Sequence, residues 1–496
     1  MGGPRGGGVS EQAWLGIDLG TQSVRVLAVG PHGAVLDSSS QKLTSRRDGV
    51  RHEQDPEAWW TATALCLRDV MATLGNSVRV EGIAVDATSG TILLMDAQCR
   101  PLTAGLMYDD GRSKNEAEEA NERGGGLWRH MSYRMQPSWA LPKLMWLLRQ
   151  GDVSAGARLA HQNDFVNARL AGRAMATDSS HALKTGYDLI RSEWPASVME
   201  SLRVPVELLP DVVRPGTRIG EIGSDAAEQT GLPVGVPIYA GMTDGCAAQI
   251  ASGATEAGSW NTVIGTTLVV KGATRELLHD PQGVVYSHRS ADGLWLPGGA
   301  SSTGAAAIAA EFSASDLERL NHAAERAGPT DLVVYPLVSK GERFPFAAPD
   351  AEGFALGEAA SEEERYVGVL QGIAMMERLS FDVLRGLGAS TDGRFTISGG
   401  AVKSDALNQM RADILERDLH VPEVTEGAFG MAMLAAAAES SMPEVTSRMV
   451  RIARTIGPKR DFSEYAEQYA ALRGALENRG WLPAGSAAAP LAEAHA

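Results

Sequence analysis

The six residues Asp18-Leu-Gly-Thr-Gln-Ser23 hold the groups that bear most directly on chemistry. They lie between two runs in which apolar residues alternate with small or polar ones, Leu15, Ile17, Leu19 and then Val24, Val26, Ala28, a pattern that predicts a hairpin. Gly20 has no Cβ and can take a positive φ, so backbone can come close to a ligand there. Thr21, Gln22 and Ser23 add hydroxyl and amide donors, and Asp18 closes the first strand with a carboxylate able to hold Mg2+ through water. These parts suit a triphosphate and its metal, and they equally suit an ordinary hairpin with a polar tip. A second carboxylate, Asp244, follows a short apolar strand and precedes a run of small residues with helical character. It fits a helix N-cap or a general base whose charge the helix N-terminus favours.

The elements that must position these groups follow from periodicity and punctuation. Asp55-Pro56 reads as an N-cap with proline at the first helical position of a helix running through Trp59, Leu67 and Val70. Val80 to Asp86 is a buried strand, and the hydroxyl-rich loop Ala87-Thr-Ser-Gly-Thr91 separates it from another at Ile92. Asp109, Asp110 and Arg112 cluster at a glycine turn, where they make either a polyol-binding set or a surface ion pair. Asn163 and Asp164 open another helix, in which Asp164 can serve simply as a cap. Strands and helices alternate up to about residue 250, which gives an α/β class. Gly265-Thr-Thr267 then repeats the hairpin-with-Gly-Thr pattern of Gly20-Thr21, a weak internal repeat of two phosphate hairpins around a cleft. Glu362 to Leu387 is a long helix, Ser398-Gly-Gly400 a strand-to-turn junction, Val421 to Thr425 the last strand, and Phe462 to Arg473 a terminal amphipathic helix.

Composition limits the field. A chain of 496 residues with 44% hydrophobic and 21% charged residues has room for two or more domains with ample core. Its net charge of −16 disfavours nucleic acid and anionic membranes as partners. The 3 cysteines, Cys66, Cys99 and Cys246, have neither metal-ligand spacing nor a disulfide pattern, which points to a reducing cytoplasm and buried thiols. The start to Val9 is Gly-rich without an apolar core, unlike a signal peptide, and no run is long enough to span a bilayer. Residues 1–9 and 486–496 are expected to be disordered tails.

In their fixed order, Asp18-Leu-Gly-Thr21, Glu53-Gln-Asp-Pro56 with Trp59-Trp60, Asp110-Gly-Arg112, Gly241-Met-Thr-Asp244, Gly265-Thr-Thr267 and Ser398-Gly-Gly400 resemble the motifs of the FGGY carbohydrate kinases, members of the sugar kinase, heat-shock chaperone and actin superfamily. The resemblance spans Trp14 to Arg473. It implies a two-lobed, ribonuclease-H-like (actin-like ATPase) fold with an interlobe cleft. Residues 10–251 plus 431–485 would form the N-terminal lobe for sugar and base, and 252–430 the C-terminal lobe for nucleotide. It also implies an ATP- and Mg2+-dependent cytoplasmic transferase, a monomer or homodimer, with no nucleic-acid or membrane partner.

Carried over residue by residue, the resemblance makes Asp244 the base that takes the proton of the attacking sugar hydroxyl. Asp18 would organise Mg2+ and touch the sugar. Gly20, Thr21, Gln22, Gly265, Thr266 and Thr267 would face the phosphates, and Gly399, Gly400 and Ala401 the adenosine. Ser404 stands where relatives often carry Asn near adenine. Ser89, Gly90, Asp110, Arg112, Asp164 and Asp244 would line the sugar pocket.

For the sugar, xylulose kinases of the family carry Gln-Met-His-Gly where this chain has Ala87-Thr-Ser-Gly-Thr91, and Trp where it has Tyr108. Asp86–Thr91, Leu183–Tyr187 and Tyr335–Pro345 look closer to a D-ribulose kinase branch. The expectation is phosphorylation of D-ribulose to D-ribulose 5-phosphate. D-xylulose is the alternative, and a non-kinase sugar-binding ATPase on the same fold the remote one.

Overall fold

In the computed structural model the chain is described over residues 11–151 and 156–485. The expected tails, 1–9 and 486–496, lie outside the described residues. The chain divides into two units: one takes the residues up to Ala251 with His288–Gly293 and Val424–Val450, the other Ser252–Ser287, Leu294–Glu423 and the residues from Arg451 on.

The central sheet of the first unit runs, strand by strand, Arg218–Glu221, Pro237–Tyr239, Val78–Ala87, Glu11–Leu19, Ser23–Val29, Val35–Lys42. Glu11–Leu19 pairs antiparallel with Ser23–Val29 and parallel with Val78–Ala87. One face is covered by the helix Pro56–Leu74, whose start is set as expected: the Asp55 side chain accepts the Glu57 N–H and Pro56 occupies the first turn. Trp59, Leu67 and Val70 pack into the same core as Leu15, Ile17 and Val24. Burying such a side chain contributes roughly 1.5–3 kcal/mol. The other face meets the helix Gly427–Ala436. Gly16 makes this possible, since a Cβ there would lie 1.6 Å from the Ala428 carbonyl oxygen.

The sheet of the second unit repeats that arrangement. Trp260–Ile264 pairs antiparallel with Leu268–Gly272, which pairs antiparallel with Trp295–Ala300. On its other side Trp260–Ile264 pairs parallel with Phe395–Ser398, which pairs parallel with Leu419–Pro422. Ile452–Ile456 closes that edge antiparallel. The weak repeat at the hairpins is thus a duplication of strand order and direction.

Two expectations are corrected. The strand near Val421 is not the last, because Ile452–Ile456 pairs beside it. That pairing draws the chain into the second unit after Val450. The terminal helix, Ala466–Asn478, therefore puts Tyr469, Leu472 and Leu476 into the second core with Tyr335 and Leu379, and only Val424–Val450 returns to the first unit.

Candidate active site

Strand register brings three carboxylates to one end of the first sheet. Asp18 and Asp86 are direct partners in the parallel pair, and Ala87, one residue on, bridges to Thr243, the neighbour of Asp244. Asp244 is exposed as the first residue of the helix Asp244–Ser252, and its Oδ1 accepts the Gly245 N–H at 2.7 Å. Asp86 is wholly buried, and neither of its oxygens receives a hydrogen bond from a donor group. Burial raises its pKa well above the carboxylate range, and the charges of Asp18 and Asp244 add to the rise. Such a shift favours the protonated carboxyl at Asp86, the strand partner of Asp18. Asp18 is pushed up to about 6, by burial first and by Asp244 second, with the Asp86 hydrogen bond and Arg25 acting the other way.

The turn after Asp18 is pinned from behind. The Gly20 N–H donates to Ser23 O at 3.0 Å and Leu43 N–H to Gln22 O at 2.8 Å. Gln54 Nε2 donates to Thr21 O at 2.7 Å, and Trp59 Nε1 holds Gln54 in that orientation through its Oε1 at 2.6 Å. Carbonyls are thus tied to the body of the unit, while the Gln22 side chain stays exposed. Gly20 does not use the positive φ open to a glycine.

In the second unit the Gly265–Thr267 turn is latched by Ala305 N–H on Gly265 O at 2.9 Å and Ala306 N–H on Thr266 O at 3.1 Å. Nothing lies within 4 Å of where a Gly265 or Gly400 side chain would start. Gly399 has φ 88° and sits against the Ile264 carbonyl. Ala401, just beyond, is buried. Ser404 is spent on structure: its hydroxyl caps the helix Asp405–Leu415 by accepting the Leu407 N–H, and donates to Asn321 Oδ1 at 2.8 Å.

The loop Thr88–Thr91 is built on a buried polar network. Thr88 Oγ1 donates to Gln162 Oε1 at 2.8 Å, and Gly90 bends the chain at φ 99°. Ser89 Oγ is buried without a protein partner, as are Gln162 Nε2, Asn163 Oδ1 and Asp164 Oδ1. The last three belong to the start of the helix Gln162–Ala171, next to the loop through the Thr88–Gln162 bond. Asp164 Oδ2 accepts both the backbone N–H and Nδ1–H of His161, so Asp164 is a capping residue with one oxygen to spare. His181 has acceptors at both ring nitrogens, Asp178 Oδ2 at 2.7 Å and Ala87 O at 3.3 Å. Burial, the largest influence, opposes its charge, but Asp178, Asp164 and the Ala87 carbonyl together raise the His181 pKa. Lys184 Nζ donates to Ser89 O at 3.2 Å.

Asp110 and Arg112 form a close pair that also engages His52 and Glu53. Asp110 accepts from the backbone of His52 and from Arg112 Nε at 2.9 Å and Nη2 at 2.6 Å. Arg112 also donates to Glu53 and lies over the Trp146 ring at 4.7 Å. The pair is a buried scaffold for its turn, not a surface ion pair.

Sequence reasoning singled out neither Asp86, Gln54, His181 nor Lys184 as site residues. The signals present were the strand-end position of Asp86 and the glutamine inside Glu53-Gln-Asp-Pro56.

The duplicated sheets with a carboxylate-bearing hairpin define an α/β fold of the actin-like ATPase type. Residues 13–251 match the N-terminal domain, and residues 260–439 the C-terminal domain, of the FGGY family of carbohydrate kinases. The chain belongs to this family and is a sugar kinase. It is 27% identical over 463 residues to the xylulose kinase of Escherichia coli (strain K12), covering 88% of this chain and 93% of that protein. The crystal structure of xylulose kinase from Rhodospirillum rubrum superposes with a TM-score of 0.85 at 24% identity, over 94% of this chain and 98% of the other. That of gluconate kinase from Lactobacillus acidophilus gives 0.86 at 19% identity, over 95% and 98%. These two share the fold. Among the described residues no helix is long and apolar enough to cross a membrane, and all three cysteines are buried and none forms a disulfide.

Proposed function

We propose that the protein transfers the γ-phosphoryl group of ATP to the terminal hydroxyl of a ketopentose. The observation that carries this reading is the alignment of exposed Asp244 with Asp18 and Asp86 at adjoining strand ends. Asp244 takes the hydroxyl proton as the bond to phosphorus forms; the hydroxyl is otherwise a poor nucleophile at neutral pH. The pinned turn Gly20-Thr21-Gln22 and the latched turn Gly265-Thr266-Thr267 are the phosphate-facing segments, and Gly399 and Gly400 leave room for the nucleoside.

Among the described residues no three His, Cys, Asp or Glu side chains are grouped to hold a metal by themselves. The hard oxygens of Asp18, with Asp86 behind it, nonetheless suit Mg2+, which keeps waters and binds through one or two carboxylates and the substrate phosphates. Bound there, the ion would neutralise phosphate charge. Ionised Asp18 is the form that serves it. Because the Asp18 pKa is raised to about 6, kcat/KM should fall as the pH drops through about 6, and a pH–rate profile at saturating Mg2+ checks this. A profile flat from pH 7 to 5 would remove Asp18 from the role.

D-xylulose is the first substrate, supported by the name of the relative at 27% identity. D-ribulose is a second reading, favoured by the loop Thr88-Ser89-Gly90, which offers hydroxyls where xylulose kinases place an imidazole. A coupled assay with ATP against D-xylulose, D-ribulose, L-ribulose, gluconate, glycerol and xylitol tests both. The expected result is one ketopentose preferred over gluconate and glycerol by about 100-fold or more in kcat/KM, the scale set when buried polar groups are left unpaired by the wrong substrate. Preference for glycerol or gluconate would overturn the ketopentose reading, and turnover of ATP indifferent to every sugar would overturn the transferase.

A further inference from the structure

Lys184 stands where the loop and the base come together. Its Nζ donates to the Ser89 carbonyl at 3.2 Å, its stem runs past Gly90, and the ammonium lies 5.6 Å from the centre of the buried Trp139 ring. The residue is half-buried, so its charge has lost part of its water without being sealed away. Ser89 Oγ, on the residue whose carbonyl Lys184 holds, is buried without a protein partner, as is Gln162 Nε2 beside Thr88.

We propose that Lys184 is a specificity-determining residue, its ammonium donating to an oxygen of the sugar held between the Ser89-Gly90 loop and Asp244. The inference rests on the sugar-kinase reading above and adds a cation to it. An ammonium has three N–H donors, and the one on Ser89 O fixes the direction of the others. A stacked indole confines the head further. Hydrogen bonds from a charged donor are the stronger kind and the more costly to lose. Burial lowers the Lys184 pKa to about 8, with Asp244 and Cys246 working against the fall. Lys143, buried on the neighbouring helix Ala140–Arg149, is a further cation, and the Lys184 charge helps to lower its pKa after burial has done most of that. The charged form of Lys184 is therefore lost within the range where an assay can follow it.

The test is sugar-dependent kinetics of the intact enzyme and of Lys184→Met and Lys184→Arg, read against pH. Lys184→Met should raise KM for the preferred ketopentose about 10- to 100-fold, with KM for ATP unchanged. Lys184→Arg should recover part of that loss. In the unaltered enzyme kcat/KM for the sugar should decline as the pH rises through about 8, and Lys184→Arg should lose that decline because arginine stays charged. Thermal melting and KM for ATP identify a variant that has merely misfolded, and then Lys184→Arg and the pH profile decide. Unchanged sugar KM in Lys184→Met, or a basic limb that persists in Lys184→Arg, would overturn the role of Lys184 and leave the kinase reading standing. An unaltered enzyme that phosphorylates no sugar would overturn both.

Discussion

Replacing Asp244 with asparagine should lower kcat for sugar phosphorylation about 100- to 10,000-fold, the range in which a positioned general base contributes. The substitution suits the geometry. Asp244 Oδ1 accepts the Gly245 N–H, a contact that an amide oxygen reproduces, so the start of the helix Asp244–Ser252 survives. What is lost is the ability to accept the hydroxyl proton. Removing this charge also relieves its repulsion of Asp18, whose pKa is raised partly by Asp244, so the acid limb near pH 6 should move to lower pH in whatever activity remains. Nucleotide binding by calorimetry should persist. Turnover within a few-fold of the unaltered enzyme would rule out Asp244 as the base.

Glu377→Ala should destabilise the second unit by about 3–5 kcal/mol, the cost of leaving a buried charge without its partner. Arg411 is wholly buried and donates to both oxygens of Glu377, at 2.6 Å and 2.9 Å, to Thr262 Oγ1 at 2.6 Å and to Asn408 Oδ1 at 3.1 Å. The guanidinium thereby ties the strand Trp260–Ile264 to the helices Glu362–Gly386 and Asp405–Leu415. Urea unfolding followed by fluorescence reads the loss. The double replacement Glu377→Met with Arg411→Met should recover much of it, since hydrophobic side chains of similar size remove the stranded charge. A loss below about 1 kcal/mol in Glu377→Ala would mean that water reaches the pair.

What could be read from the sequence was local. The hairpins at Asp18 and Gly265 announce themselves by alternation and turn residues, and the helix at Pro56 by its cap; all are governed by contacts a few residues apart. The order of motifs carried the family. Burial across distant segments was not legible. Nothing near Asp110 shows that His52 and Arg112 together occupy both of its oxygens, or that Glu53 shares the Arg112 guanidinium. Nothing around Ser404 in the sequence shows that its hydroxyl caps a helix and binds Asn321. Asp86 looked like the end of a strand, and only the pairing register sets it beside Asp18. The terminal helix offers an apolar face to any core, so its partner depended on where Ile452–Ile456 found an edge.

Gly16 is bare of side chain because the helix Gly427–Ala436 passes over it, and Gly430 of that helix presses in turn on the carbonyl of Ala247. Those contacts join the beginning of the chain to a segment near its end. During synthesis, therefore, the first sheet emerges with one apolar face uncovered, and it stays so while most of the second unit is made. The order in which the ribosome delivers the protein is the reverse of the order in which its first core can close. A nascent chain halted at Ala251 would lack the only described element that fills the Gly16 groove, and would depend on chaperones or on delay to remain unaggregated.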